Sequence, residues 1–346
     1  MATHAAIQMV AQRQPLQLAQ VPTVEPGDGE TLVKVEWVCS TPLDLHQADG
    51  GLGTTYPNIV GDSIAGKIMK LGPNVENLKV GDKVFGFGWR SQKERAAQEY
   101  ATYHQNLLGK IPSGISYQEA VTVPNNFVTV FHALTKDLDL PLPWPQPEQA
   151  PERASDPILY GYTNLIGTAS KAHHAELKSF DATAVFDYRD PDIVPHIIAA
   201  IKPSQTPAIP FILDCIGSKS GSIEPISKIA QAGPTVAVLL PVIVRDSTVE
   251  EVPIYDMDPK SHANWAKDVT VRGVRTHFYL QDEFFATHLQ PVVMPYMLEH
   301  GIVKPNRQRV VQGETFRDRA QNALDILRRK EVSGERLVWR VPDGEE

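Results

Sequence analysis

The 346-residue chain has the composition of an ordinary globular protein, with 42% hydrophobic and 21% charged residues. Its length predicts about two domains of roughly 150 residues each, and its net charge of -8 argues against a nucleic-acid partner. No apolar run approaches the roughly 18 residues of a membrane span, and Met1–His4 lack a signal-peptide pattern. We therefore expect a cytoplasmic protein whose two cysteines, Cys39 and Cys215, are reduced.

The first third of the chain shows the pattern of a β domain. Thr31–Val38 alternates apolar and polar residues, as a half-buried strand does. Asn58–Ile68 is a second strand region whose glycines indicate bulges or close backbone approach. Val80–Gly86 combines turn residues with a short strand. Many short strands with such punctuation predict a small barrel-like domain.

Helical patterns begin near Ser116 and lead into an α/β region. Ser116–Ala120 opens with a capping residue, and Asn126–Lys136 is also helix-like. The proline-rich stretch Leu140–Pro147 stops any helix and predicts an extended loop.

Apolar strands then alternate with helices, which predicts a parallel sheet covered on both faces. The predicted elements are the strands Ala184–Tyr188, Phe211–Gly217 and Thr235–Leu240, the helices Ile193–Ile201 and Ser222–Ala230, and at the C-terminus a helix over Phe316–Lys330 and a strand over Arg336–Val341.

One segment between two predicted strands of this α/β region is too short to form the crossover that parallel strands require. Ile158–Gly161 is predicted to be a buried strand, and Ile166–Ser170 is predicted to end a second one. Parallel neighbours need a crossover of about a dozen or more residues, usually a helix. Only Tyr162–Leu165 lies between the two strands. The glycine-rich turn and helix that hold a pyrophosphate in nucleotide-binding domains have no room here.

Six sequence blocks carry a resemblance to a known family. They are Thr41–Asp44, Val60–Gly66, Val80–Val84, Phe186–Asp190, Leu213–Gly217 and Ser333–Val338. Their order and spacing resemble the medium-chain dehydrogenase/reductases, and are most similar to the zinc-independent fungal enoyl reductases that serve polyketide synthases in trans. The resemblance covers nearly the whole chain.

The resemblance implies an α/β fold with a GroES-like β-barrel domain and a truncated Rossmann-like parallel-sheet domain. Residues 1–125 would form the substrate-binding, catalytic domain and residues 126–290 the cofactor domain. Residues 291–346 would return to the catalytic domain. The implied reaction transfers hydride from NADPH to an α,β-unsaturated thioester or ketone of polyketide type, followed by protonation of the α-carbon. Carbonyl or quinone reduction is the other redox possibility. The implied partner is a polyketide synthase, and the implied assembly is a monomer or homodimer.

The family's zinc ligands are not matched in this chain. The Cys ligand position falls on Thr41 and the His position on Asp62. Cys39 is two residues from the ligand position, which displaces its side chain by about 7 Å along a strand. We therefore predict no zinc, so hydrogen-bond donors must polarise the substrate carbonyl.

The resemblance also implies site residues in both domains. Thr41 and Thr129 would be catalytic, and Thr129 and Gly273 would contact the substrate. NADP(H) would be held by Thr41, Asp44, Ser170, Lys171, His173, Tyr188, Leu240 and Val338. Ser170 and Lys171 match the segment that grips the adenosine 2′-phosphate, and no acidic residue ends that strand, which favours NADP over NAD.

Two interpretations of the short link remain. Gly161–Gly167 is a remnant of the glycine-rich loop, or loop and helix are both lost and residues 161–166 approach the second strand; we prefer the second. Three explanations of the short link follow. The sequence is a mispredicted or alternatively spliced reading of an ordinary NADPH oxidoreductase gene, or it is a real variant that binds NADPH weakly or in an altered pose. In the third explanation the chain is a cofactor-free relative that acts as a binding partner or non-redox catalyst.

Overall fold

A computed structural model describes residues 2–141, 144–145, 164–201 and 209–341. The chain folds as two compact units. Unit 1 comprises Met1–Thr129, Asp246–Pro253 and His277–Glu346, and unit 2 comprises Val130–Arg245 and Ile254–Thr276. The predicted strand Ile158–Gly161 and residues 162–163 of the short link lie outside the described residues, as does part of the predicted proline-rich loop.

The strands are numbered here in chain order. They are β1 (Thr3–Met9), β2 (Gln17–Pro22), β3 (Glu30–Ser40), β4 (Asn58–Ile59), β5 (Ser63–Leu71), β6 (Lys83–Phe87), β7 (Tyr100–His104), β8 (Leu108–Lys110), β9 (Leu165–Thr168), β10 (Ala182–Phe186), β11 (Phe211–Asp214), β12 (Thr235–Leu239), β13 (Val242–Arg245), β14 (Ile254–Asp256), β15 (Thr270–Val274), β16 (Gln308–Val310) and β17 (Arg336–Arg340).

The α-helices are numbered in the same way. They are α1 (Pro42–Gly50), α2 (Tyr117–Ala120), α3 (Pro124–His132), α4 (His174–Ser179), α5 (Ile193–Ala200), α6 (Glu224–Ile229), α7 (Met294–Glu299) and α8 (Phe316–Arg328). A π-helical turn over Ala133–Asp137 prolongs α3, and another over Phe285–Val293 leads into α7.

Unit 1 is built on a seven-stranded sheet in the order β16-β17-β3-β5-β6-β8, with β7 also paired to β3. All pairs are antiparallel except β16 with β17. The inward face of β3 packs Val33, Val35 and Val38 into a core that also holds Ile64 and Trp339. The alternation of β3 therefore produces the β domain that the sequence predicts.

Strand β3 also sets the position of the residues that follow it. Cys39 lies opposite Ser63 of β5 on one side and Val338 of β17 on the other. Directly paired residues in an antiparallel sheet have Cβ atoms about 4.5–5.5 Å apart. This register brings the end of β3 next to Asp62 and Arg336, although those residues are far apart in sequence.

Unit 2 contains the predicted parallel strands in two blocks. Strands β11, β12 and β15 form a three-stranded parallel sheet, and β9 pairs in parallel with β10. In the common nucleotide-binding order 3-2-1-4-5-6, β10 and β9 take places three and two, while β11, β12 and β15 take places four to six. Within the described residues no strand joins the two blocks. The place that would join them is the first strand of that order, for which the sequence predicts Ile158–Gly161.

Candidate functional site

A buried polar cluster lies where β3 ends and α1 begins. Thr41 is extended, with φ -125° and ψ 161°, and Pro42 follows as the first helical residue, where its missing N–H costs nothing. The backbone N–H of Thr41 donates to Asp44 Oδ2 at 2.9 Å. Thr41 and Asp44 are each only 3% exposed. The start of α1 therefore fixes a hydroxyl and a carboxyl within one turn of chain.

Asp62 reaches the same cluster from the turn before β5. The Ser63 hydroxyl donates to Asp62 Oδ1 at 2.9 Å, and the Asn125 side-chain amide donates to Oδ2 at 3.0 Å. The preceding Gly61 has φ +82°, and a Cβ there would lie 3.0 Å from the Ala96 Cβ. Only glycine fits this turn without strain, because side chains disfavour positive φ.

Arg336 closes the cluster from the start of β17. Its Nε donates to Cys39 Sγ at 3.3 Å, and its Nη1 donates to Asn126 Oδ1 at 3.0 Å. Asn125 and Asn126 are adjacent in the first turn of α3. Asn125 therefore binds the Asp62 carboxylate, and Asn126 binds the Arg336 guanidinium. Three sheet strands and two helix starts converge on one polar site.

Burial shapes the electrostatics of the site. Burial, reinforced by the charge of Asp62, raises the pKa of Asp44 to about 7. Burial also raises the pKa of Asp62 and of the Cys39 thiol. The guanidinium groups of Arg95 and Arg336 oppose the shifts of both carboxyl groups. At neutral pH the thiol is therefore protonated, and Asp44 is close to its midpoint.

Several buried polar atoms in unit 1 have no hydrogen-bond partner among the described residues, and two of them lie close to this cluster. One is Thr41 Oγ1 and the other is Arg95 Nε, and Arg95 is 8% exposed. An unmade hydrogen bond on a buried group costs about 1–3 kcal/mol. Such groups in a native fold need an explanation, and a bound ligand supplies one.

The predicted cofactor residues of unit 2 lie at the carboxyl ends of β9 and β10. Ser170 is buried beyond β9, and the exposed Lys171 follows it. The Nδ1 atom of His173 lies 3.7 Å from a carboxylate oxygen of Glu176. Tyr188 is 50% exposed beyond β10, and the Arg189 guanidinium lies 4.9 Å from its ring centre.

The prediction that these residues bind the adenosine 2′-phosphate of NADPH depends on the charges at this edge. The segment from Thr168 to Lys171 that ends β9 contains no acidic residue, and parallel strands bring its basic side chains to the same edge as Arg189. An Asp or Glu at the end of β9 would instead bind a ribose 2′-hydroxyl and repel the phosphate.

The other predicted residues are distributed over both units. The Thr129 hydroxyl, in α3, donates to the Asn125 carbonyl at 2.8 Å. Val338 is buried in β17 opposite Cys39. Leu240 and Gly273 lie together in unit 2, because a Cβ on Gly273 would lie 2.7 Å from Leu240 Cδ1. Their proposed roles toward cofactor and substrate stay predictions.

Sequence reasoning assigned no role to Arg95, Asn125 and Asn126, and quoted Arg336 only as part of a block. The Pro-Asn-Asn run at the start of α3 is a signal that could have been used, since adjacent amides there satisfy buried polar groups. No group of three or more metal-binding side chains is present within residues 2–141, 144–145, 164–201 and 209–341. No described helix is long and apolar enough to cross a membrane.

Comparison with known proteins defines the class. Residues 27–133 match the family described as "Alcohol dehydrogenase GroES-like domain". The fold and this match together define a GroES-like β unit and a parallel-sheet unit. Escherichia coli quinone oxidoreductase, solved as a complex with NADPH, shares the fold with a TM-score of 0.67 and 16% identity, over 98% of this chain and 100% of that one.

Two fungal enoyl reductases are similar to this chain over about 90% of its length. It is 29% identical over 329 residues to trans-enoyl reductase apdC of Emericella nidulans, covering 91% of this chain and 90% of apdC. It is 25% identical over 342 residues to lovC of Aspergillus terreus, named as the enoyl reductase component of lovastatin nonaketide synthase, covering 90% and 89%. These matches support the resemblance to the medium-chain dehydrogenase/reductases and their fungal enoyl reductase branch that the sequence blocks predicted.

Proposed function

We propose that this protein is a zinc-independent, NADPH-dependent enoyl reductase that acts on a polyketide-type intermediate. The observation that carries the proposal is the donor set beyond β9, where Ser170, Lys171 and His173 follow a strand end without an acid. The names of apdC and lovC support the substrate class. A polyketide synthase is the proposed partner, and carrier-bound thioesters are the proposed substrates.

The domain roles are part of the same proposal. Residues 1–125 would bind substrate, residues 126–290 would bind the cofactor, and residues 291–346 would complete the catalytic domain. In the cofactor domain, Lys171 and His173 would hold the 2′-phosphate and Tyr188 would lie near the adenine. Leu240 and Val338 would line the nicotinamide position.

The proposed reaction requires hydrogen-bond donors and a source of one proton from this chain. A bound nicotinamide would supply hydride to the β-carbon of the substrate. The residues must then stabilise the enolate oxygen and protonate the α-carbon, and donors aimed at developing charge contribute most to such a step. Thr41 Oγ1 is a buried hydroxyl without a partner in the described part of the chain. Thr129 and Gly273 are the residues proposed to contact the substrate.

The test uses the purified 346-residue chain. We expect saturable enhancement of NADPH fluorescence, weaker enhancement with NADH, and turnover of an enone thioester to the saturated thioester. A saturated ketone assayed in parallel separates enoyl from carbonyl reduction. Activity that survives exhaustive dialysis against a chelator would support zinc independence. Absence of NADPH binding at millimolar cofactor would contradict the proposal.

A cofactor-free role is the second candidate, because β9–β10 and β11–β12–β15 are separate blocks among the described residues. In that case the chain would bind a polyketide intermediate without reducing it. Genomic DNA around the Gly161 codon discriminates the two. An in-frame segment encoding a glycine-rich turn and an amphipathic helix would favour the reductase, and an uninterrupted reading frame combined with no NADPH binding would favour the second role.

A further inference from the structure

Strand β2 is the outer strand of a small sheet in unit 1. The sheet has the order β2-β1-β4, and β2 pairs antiparallel with β1 along its whole length. Among the described residues, β1 is the only strand that pairs with β2. The outer side of such a strand presents backbone N–H and C=O groups that can pair with another chain. The register between β1 and β2 shows which groups these are.

The hydrogen bonds of β1 identify the outward groups of β2. Ile7 lies opposite Leu18, yet its N–H donates to the Ala97 carbonyl at 2.8 Å and its C=O accepts from the Val60 N–H at 3.1 Å. Both backbone groups of Ile7 are therefore used on the side away from β2. Hydrogen-bonded and non-hydrogen-bonded pairs alternate along an antiparallel ladder. The N–H and C=O groups of Leu18 and Gln20 consequently point away from β1.

These outward groups lie on an accessible and uncharged strand. Leu18 is 56% exposed, and Gln20 is exposed as well. Apart from the β1 ladder, no hydrogen bond joins their backbone groups to the part of the chain that the structure describes. The end strands of the larger sheet carry Arg309 in β16 and Lys110 in β8, whereas Gln17–Pro22 contains no charged residue. Charge on an edge strand opposes pairing with another chain, and β2 lacks that protection.

A second copy of β2 fits this edge in one two-fold register. The backbone N–H and C=O of Leu16 are already bound to side chains of α8, at 2.8 Å each. Pro22, at the other end, has no N–H. A two-fold axis at Ala19 pairs Leu18 of each copy with Gln20 of the other copy and uses neither strand end. The other two-fold registers that join outward groups place Leu16 or Pro22 in a pair.

We propose that β2 is a self-association edge, through which two copies of this chain form a continuous antiparallel sheet with Ala19 at the two-fold axis. Leu18 of each copy exchanges both backbone hydrogen bonds with Gln20 of the other. Because Gln17–Pro22 is uncharged, no like charges oppose one another across the axis. Stable interfaces bury roughly 1,200–2,000 Å². A six-residue edge is small beside that area, so the dimer forms and dissociates with concentration.

Sedimentation velocity of the purified chain at increasing concentration tests the association. We expect a dimer fraction that rises with concentration. Leu18→Pro removes an outward N–H from each copy and leaves the β1 ladder intact, so it should weaken association about tenfold. Val80→Lys, at a residue that is 60% exposed between β5 and β6, is the control and should change nothing. A monomer at every concentration, or a dimer that Leu18→Pro leaves unchanged, would overturn the proposal.

Disulfide trapping tests the register. Residues at the axis form a non-hydrogen-bonded pair, whose Cβ atoms lie at the short end of about 4.5–5.5 Å, close to the roughly 3.5–4.5 Å of a disulfide. In a Cys215→Ser background, which removes the exposed thiol, oxidised Ala19→Cys should form a covalent dimer. Gln17→Cys is the matched control on the same face, because it lies opposite Val21 of the other copy and should stay monomeric on a non-reducing gel. Equal trapping of the two variants, or of neither, would overturn the register. Neither test involves NADPH or a substrate, so both are independent of the proposed function.

Discussion

The two candidate binding regions of this protein differ in where they keep their charges. In unit 1, Asp44 and Asp62 are almost wholly buried. Asp44 accepts a hydrogen bond from the Thr41 backbone N–H, and Asp62 accepts from the side chains of Ser63 and Asn125. In unit 2, Lys171 and Tyr188 are exposed at the carboxyl ends of β9 and β10. Buried charges must be satisfied by the fold itself, whereas exposed charges remain available for a ligand. Mutations in the first region should therefore change stability, and mutations in the second should change binding.

Removal of Arg336 should show this difference most strongly. Arg336→Ala leaves Cys39 and Asn126 without their donor and removes a cation that stabilises both carboxyl groups. Loss of one partner from a buried charge network costs about 3 kcal/mol or more. Urea denaturation monitored by tryptophan fluorescence measures the free energy of unfolding.

Arg309 is the matched control for that measurement. It lies on the neighbouring strand β16 and pairs with Glu331 and Glu335, with 39% of its side chain exposed. Exposed ion pairs contribute about 0–1 kcal/mol, so Arg309→Ala should be nearly neutral. Equal losses in the two variants would show that burial of the cluster does not set its energetic importance.

The two regions can also be compared through one glycine in each. Gly61→Ala places a side chain at φ +82° and 3.0 Å from the Ala96 Cβ, which should cost about 1–3 kcal/mol. Gly167→Ala in β9 meets only Leu177 Cδ1, at 3.6 Å, and should be close to neutral. Thermal unfolding of both variants checks the difference. A destabilised Gly167→Ala would indicate that β9 is packed as tightly as the end of β3.

The sequence predicted these regions unequally, for physical reasons. Strand β3 has a local period-two alternation that any pairing preserves, so it could be recognised without its neighbours. Helix α1 was not predicted, because its buried residues include Asp44, Gln47 and Asp49 and therefore show no apolar stripe. The approach of Asp62 to Asp44 depends on the register between β3 and β5, which no local pattern contains.

The residues that follow β9 could be predicted from the sequence more directly than the buried cluster of unit 1. The Ser170-Lys171 motif carries its chemistry within a few residues, so its placement beyond a strand end could be predicted from sequence. The strand expected at Ile158–Gly161 lies outside the described residues. The short link that follows it therefore stays a question for the binding experiments.

The pH dependence of stability should distinguish a buried acid from an exposed one. Below pH about 4 folded and unfolded chains both protonate Asp44, and between about 4 and about 7 only the folded chain keeps that proton. The free energy of unfolding should therefore fall as the pH rises through this window, by at most about 1.4 kcal/mol per pH unit. Asp44→Asn should lose this contribution, as urea denaturation at several pH values would show.

Other groups set the background of that measurement. Burial lowers the pKa of His46 and His277 to about 4, which gives a slope of opposite sign in wild type and variant alike. Asp318 is the control carboxylate, because its hydrogen bonds to Thr315 lower its pKa instead. Asp318→Asn should keep the falling contribution of Asp44. A pH profile for Asp44→Asn that overlays the wild type would mean that Asp44 is ionised in the folded protein throughout.

The smallest effect on stability is expected at Lys171, where the effect on cofactor choice should be clearest. Lys171→Ala removes an exposed cation from the edge beyond β9, so unfolding should be unchanged. Affinity for NADPH should fall about tenfold while affinity for NADH stays the same, since a charge-assisted bond to the 2′-phosphate is lost. Lys178→Ala, on the exposed face of α4, is the control for a general loss of positive charge. Equal losses for both cofactors would place the contact elsewhere than the 2′-phosphate, and would remove the basis for the choice of NADPH over NADH at this edge.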